Sequence, residues 1–231
     1  MKRRLALLPA LALLPALALL TGCPSFSTMG TARTMPKGKG QLFVAPGAMV
    51  LQDFQRDTTT GRYDSFGMPT VEFGGRYGVT DGAEVGAKVS LLGAELDTKF
   101  ALRRSETADA GLDVALAPAV SIYPFRSGDT NATYAWVHLP LLLGVNVGGS
   151  QLVIGPRVSG MIIAGGGESL RALWLGGSLG FAWKVGDGFR LLPELSMAYP
   201  ASVSIGSVSA TNLEPRGALF QGSLGFLFGG D

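Results

Sequence analysis

From about residue 41 onward, apolar and polar positions alternate along the chain, and no helical period is present. Alternation with period two is the mark of a β-strand that shows its two faces to different surroundings. It is clearest between Gly82 and Leu92, where Ala83, Val85, Ala87, Val89 and Leu91 share one face and Glu84, Gly86, Lys88 and Ser90 the other. In the next segment Leu96, Thr98, Phe100 and Leu102 oppose Glu95, Asp97, Lys99 and Ala101. Val71, Phe73 and Tyr77 likewise oppose Glu72, Gly74 and Arg76. The pattern predicts ten strands, over 41–54, 69–78, 82–92, 94–103, 111–125, 134–147, 151–164, 172–185, 189–200 and 217–228. Most are long enough for a tilted strand to cross a membrane, which takes ~9–11 residues.

Connections add a second signal. Val79-Thr80-Asp81, Gly148-Gly149-Ser150 and Gly186-Asp187-Gly188 read as tight hairpins. The segments 55–68, 126–133, 165–171 and 201–216 are longer and polar. Short turns on one side and long loops on the other are the asymmetry of an outer-membrane barrel. On this reading 55–68 and 201–216 lie on the cell surface. The fold class expected is therefore all-β, an antiparallel up-and-down transmembrane barrel of about ten strands.

Alternation does not say which face is outside, so composition is needed. One face of the fifth segment carries Ala115, Ala117, Ala119 and Ser121, and one face of the eighth carries Gly176, Ser178, Gly180 and Ala182. Small side chains suit a crowded interior, and the large aliphatics opposite them suit lipid. Tyr77, Tyr123, Phe125, Tyr134, Trp136, Trp174, Trp183 and Tyr199 gather near strand ends, as an interfacial girdle would. Trp136, Trp174 and Phe125 fall on the small-residue parity, which weakens that pattern. On this reading the role is structural or interactive, carried by the outer loops, and three rivals stay open: a narrow diffusion pore, a lipid-anchored periplasmic lipocalin-like binder with apolar residues inside, and an acyl-processing enzyme with a triad around His138.

The chain starts with Lys2, Arg3 and Arg4, then an apolar run from Leu5 to Leu20, then Thr21-Gly22-Cys23. A charged head, an apolar stretch and a small-residue junction make a secretory signal. Leu20-Thr21-Gly22-Cys23 resembles the lipobox of bacterial lipoproteins. That resemblance implies cleavage before Cys23, acylation of Cys23, and, because Pro24 stands where an inner-membrane retention signal would have Asp, an outer-membrane destination. Cys23 is the single cysteine, so no intrachain disulfide can form. Removing the three leader cations from the 19 Lys+Arg leaves 16 against 17 Asp+Glu. A nearly neutral chain gives no electrostatic support for a nucleic-acid partner. The expected organisation is a signal over 1–22, a polar lipid-anchored linker over 23–40, and a barrel over 41–231. The expected partner is outer-membrane lipid, and no cofactor is expected.

The stretch 76–102, RYGVTDGAEVGAKVSLLGAELDTKFAL, resembles small outer-membrane β-barrel proteins of Gram-negative bacteria. A strand ending in Tyr-Gly, a Thr-Asp turn and an acidic-aromatic-basic strand carry the likeness. Unlike many members, the chain ends Phe228-Gly229-Gly230-Asp231 rather than in an aromatic residue.

Candidate chemistry is sparse. His138 is the single histidine. Ser121, Ser159 and Ser178 share its expected face, but no serine adjoins it in sequence, and a hydrogen-bonded interior histidine is expected rather than a catalytic one. One His and one Cys offer no metal ligand set. Gly165-Gly166-Gly167 lacks the Lys-Ser or Lys-Thr of a phosphate loop. The chain is therefore expected not to be an enzyme. The parities place Glu72, Arg76, Glu84, Lys88, Glu95, Asp97, Lys99, Asp113, Arg157, Lys184, Arg190 and Glu194 on the inner face. Opposite charges in so narrow a space are expected to pair with one another and close the lumen.

Overall fold

The computed structural model describes residues 25–56, 63–90, 93–127, 130–165, 168–205, 208–209 and 217–230. The strands are β1 (Gly40–Arg56), β2 (Tyr63–Thr80), β3 (Ala83–Ser90), β4 (Ala94–Arg103), β5 (Ala110–Leu116), β6 (Ala119–Ser127), β7 (Thr130–Val147), β8 (Ser150–Gly165), β9 (Glu168–Gly186), β10 (Phe189–Ile205), β11 (Val208–Ser209) and β12 (Ala218–Gly229). All pairings are antiparallel, and β12 pairs with β1, which closes the sheet. Since β5 and β6 are two halves of one stave and β11 is a two-residue ribbon on β10, the barrel has ten staves. The fold is an all-β, closed, antiparallel barrel of the outer-membrane kind.

The break in the fifth stave falls at Ala117-Pro118. Proline has no N–H to give a ladder, yet its carbonyl still accepts from Thr98 N at 3.0 Å. β4 bridges the break, pairing with β5 through Phe100↔Leu116 and with β6 through Asp97↔Ala119. Side-chain parity survives it, so Ala115, Ala117, Ala119 and Ser121 all point inward.

The apolar face is outside. Leu96 is 69% exposed and Leu102, Val137, Val147 and Leu195 are similar, while Lys99 and Asp113 are 0% exposed. A lipocalin-like soluble barrel would have the opposite polarity. Tight turns close one end: Gly148 and Gly149 both take positive φ (57° and 77°), as a two-residue hairpin turn demands, and Gly188 (φ 68°) does so in the next turn. At the other end the strands run further than the alternation predicts. β2 begins at Tyr63 and β10 continues to Ile205, so parts of the expected loops 55–68 and 201–216 are strand. Residues 57–62, 206–207 and 210–216 of those loops lie outside the described residues.

The aromatic girdle is only half as expected. Tyr77, Trp183 and Tyr199 are exposed on the outer face. Tyr123 and Trp136 are buried inside the barrel, with Tyr134 and Trp174 packed against them. Their role is to fill the interior toward the long-loop end.

Candidate functional site

Residues 25–36, part of the expected polar linker, run through the barrel interior. The chain enters at the tight-turn end, before β1, and Ser25, Phe26, Ser27, Met29, Ala32, Thr34 and Met35 are all buried. Apolar residues recur here every third position: Phe26, Met29, Ala32 and Met35. The first three seat in separate niches of the wall. Phe26 joins Trp136, Tyr123 and Met161. Met29 joins Phe43, Ala45, Leu192 and Leu227. Ala32 joins Ala115, Leu142 and Val153. Met29 has φ 41°, a conformation rare for a side-chain-bearing residue, and its fully buried side chain holds it there.

Small residues in the wall make the room. A Cβ on Gly78 would lie 2.1 Å from Pro36 O, one on Gly144 2.7 Å from Ala32 Cβ, and one on Gly225 2.9 Å from Met29 Sδ. These glycines face the thread, which gives some of the chain's 34 glycines a purpose.

The thread has no ladder of its own, so its backbone groups need other partners. The wall supplies them. Phe26 N donates to Gln221 Oε1 (2.7 Å) and Ala32 N to Gln151 Oε1 (2.7 Å). Thr28 N and Met29 N donate to the two oxygens of Glu194 (2.7 and 3.0 Å). Met35 N donates to Glu84 Oε2 (2.7 Å). The cations take the carbonyls: Lys88 Nζ donates to Ser27 O (2.9 Å), Arg76 Nη2 to Thr28 O (2.8 Å), and Lys99 Nζ to Thr31 O (2.8 Å) and Arg33 O (3.2 Å). Ser25 and Ser27 donate their hydroxyls to Glu72.

The same charges also pair with one another. Glu84 meets Lys99 (2.7 Å) and Arg76 (3.5 Å), and Arg76 meets Asp97 (2.8 Å). Lys88 meets Glu95 (3.2 Å) and Glu72 (3.7 Å). Asp113 pairs with Arg33 of the thread (3.6 Å) and accepts from Asn146 and Gln151. Of the twelve charges read as luminal, ten are buried: Glu72, Arg76, Glu84, Lys88, Glu95, Asp97, Lys99, Asp113, Arg157 and Glu194. Lys184 and Arg190 are not. Lys184 pairs with Asp187 in the exposed turn, and Arg190 donates to Gly149 O at the tight-turn mouth. Their strand parity is inward, but they stand at the end of the barrel, where water reaches them. Arg157 is buried with Nε and Nη2 lacking a protein partner among the described residues. It lines a residual cavity of about 20 Å³ with Arg76, Glu95, Asp97 and His138, which is room for a water molecule. A larger cavity of about 220 Å³ opens beside Arg33, Arg104 and Arg190 at the mouth.

His138 sits between two serines. Its Nε2 is 3.3 Å from Ser121 Oγ and its Nδ1 2.8 Å from Ser159 Oγ. Trp136 stacks on the ring at 5.6 Å and Phe26 meets it edge-on at 5.9 Å. No carboxylate touches either nitrogen among the contacts described, so the orienting acid of a hydrolytic triad is not supplied. Ser178 instead faces Thr28 of the thread at 3.1 Å.

No family model matches the chain, and no curated protein matches it. Its barrel is similar to solved outer-membrane barrels. The outer membrane protease OmpT from Escherichia coli is 9% identical, with a TM-score of 0.48 over 85% of this chain and 98% of that one. The translocator domain of the autotransporter NalP from Neisseria meningitidis is 11% identical, with a TM-score of 0.47 over 83% and 88%. The outer membrane protein OprG from Pseudomonas aeruginosa is 14% identical, with a TM-score of 0.35 over 84% and 99%. These likenesses concern the barrel fold alone. They also correct the expectation that the chain is not an enzyme: a protease stands among the similar barrels, so a fold of this kind does not exclude catalysis.

Proposed function

We propose that the protein is an outer-membrane barrel anchored by a lipid on Cys23, with a lumen closed by its own N-terminal segment and a structural or surface-interaction role carried by its long loops. The tight-turn end then faces the periplasm. The observation that carries this reading is the thread itself, whose backbone is held by side chains of the wall over the length of the lumen. The apolar outer face supports residence in lipid. The test is electrical. Purified protein in a planar bilayer should show no steady channels; reproducible conductance proportional to salt would make it a passive pore instead. The anchor has its own test. Wild-type protein should take up a fatty-acid analogue in cells, and Cys23→Ser should abolish the label. Persistent labelling of that variant would place the lipid elsewhere or remove it from the reading.

A further inference from the structure

The wall of the barrel has a gap. β3 has eight residues, which rise ~26 Å along the strand and, at a tilt of ~40°, about 20 Å across the membrane. The apolar band of such barrels is ~25 Å tall. The β3–β4 hairpin therefore stops short of the long-loop side of the band, where Ser90 N donates to Gly93 O at 2.9 Å. Its neighbours continue. β2 pairs with β3 only from Glu72↔Ser90 downward, yet extends back to Tyr63. β6 pairs with β4 only up to Ala94↔Ile122, yet extends to Ser127. Among the described residues no strand joins β2 to β6 above the hairpin. Two missing strands leave about three strand spacings between them, ~14 Å.

The thread ends behind this gap. Ser25 is fixed by β2 through Glu72, by β3 through Lys88 Nζ (3.3 Å), and by β6 through Tyr123 Oη, which accepts from Ser25 N at 3.0 Å. Those three residues border the lower edge of the gap. Cys23 is two residues further on, a reach of at most ~7 Å. The outer faces at the edge are apolar and exposed, with Val89 and Ile122 each 52% accessible.

We infer that the lipid on Cys23 leaves the barrel sideways through the gap above the β3–β4 hairpin and lies in the outer leaflet of the membrane. The inference rests on the acylation of Cys23 and on the tight-turn end facing the periplasm. Although β1 and β12 do begin and end at the tight turns, the thread carries Ser25 up the lumen to the far edge of the hairpin.

The test uses a palmitate analogue with a photoreactive diazirine near its carboxyl end, fed to cells making the full chain. Label on the intact protein before irradiation, lost in Cys23→Ser, establishes the acylation separately. After irradiation of whole cells, peptide mapping should find the adducts on β2 near Val71, on β3 near Val89 and on β6 near Ile122. Adducts near Tyr77, Val147 or Val185 would put the lipid in the periplasmic leaflet and overturn the inference. So would adducts confined to the long loops, which mean exit through the outer mouth, or labelled protein with no adduct on the barrel. Absence of label before irradiation overturns the acylation itself, and the lateral exit with it.

Discussion

A chain lacking residues 25–37 should form steady, salt-proportional channels in a planar bilayer where the full protein is silent. The thread is what fills the lumen: Phe26, Met29 and Ala32 occupy three apolar niches, and the remaining space beside Arg157 is about 20 Å³. Removing it leaves the wall charges lining an aqueous path. The deletion also strips partners from Glu72, Glu194, Lys88 and Lys99, so a point variant provides a second route. A valine at position 78 would press a Cβ against Pro36 O, 2.1 Å away, where the thread enters. Gly78→Val should therefore show intermittent conductance with the strands intact. Silence from both folded variants would mean that the wall side chains close the lumen without the thread.

Replacement of Glu84 by alanine should cost more stability than replacement of any charge at the mouth. Glu84 accepts from Lys99 at 2.7 Å, lies 3.5 Å from Arg76, and holds Met35 N at 2.7 Å. Lys99 is fully buried and would be left with its charge against two carbonyls, repelled by Arg76 and attracted by Asp97. Breaking a buried pair from one side costs about 3–5 kcal/mol. The readout is the denaturant midpoint of the purified barrel in detergent. Glu84→Ala with Lys99→Met should recover part of the loss, because an apolar pair leaves no uncompensated charge. Lys184→Ala, in the exposed turn, should leave the midpoint unchanged. A Glu84→Ala midpoint equal to that of wild type would mean that the cluster contributes nothing to holding the thread.

Strands and facing were legible in the sequence because both follow from a period of two, which needs only local information. The inward row Ala115, Ala117, Ala119 and Ser121 keeps its parity even across Pro118, since β4 pairs with both halves of the broken stave. The twelve inward charges were legible for the same reason, except at Lys184 and Arg190, where parity says nothing about distance from water. The thread was not legible. Serine, threonine, glycine and lysine between residues 25 and 39 have the composition of a solvated linker, and the repeat of Phe26, Met29, Ala32 and Met35 has a period of three, which matches neither strand nor helix. Its partners are also remote in sequence: Gln221 lies 195 positions from Phe26, and Glu194 166 from Thr28. The inward charges, six of each sign, read as partners for one another, and nothing in that balance shows that they also hold an unladdered backbone. Tyr123 and Trp136 were misjudged for a related reason, because an aromatic near a strand end can fill a lumen as readily as it can mark an interface.

The thread also fixes the order in which the molecule can be made. It precedes every strand of the chain, while the wall that grips it includes Gln221 and Leu227 on the last strand. The seam between β1 and β12 is the joint that closes the ring. With Cys23 acylated as proposed, that end could not be drawn afterwards through a lumen already packed with side chains. The ring must then shut around a strand already laid inside it, and sealing the seam and seating the plug become a single event in assembly.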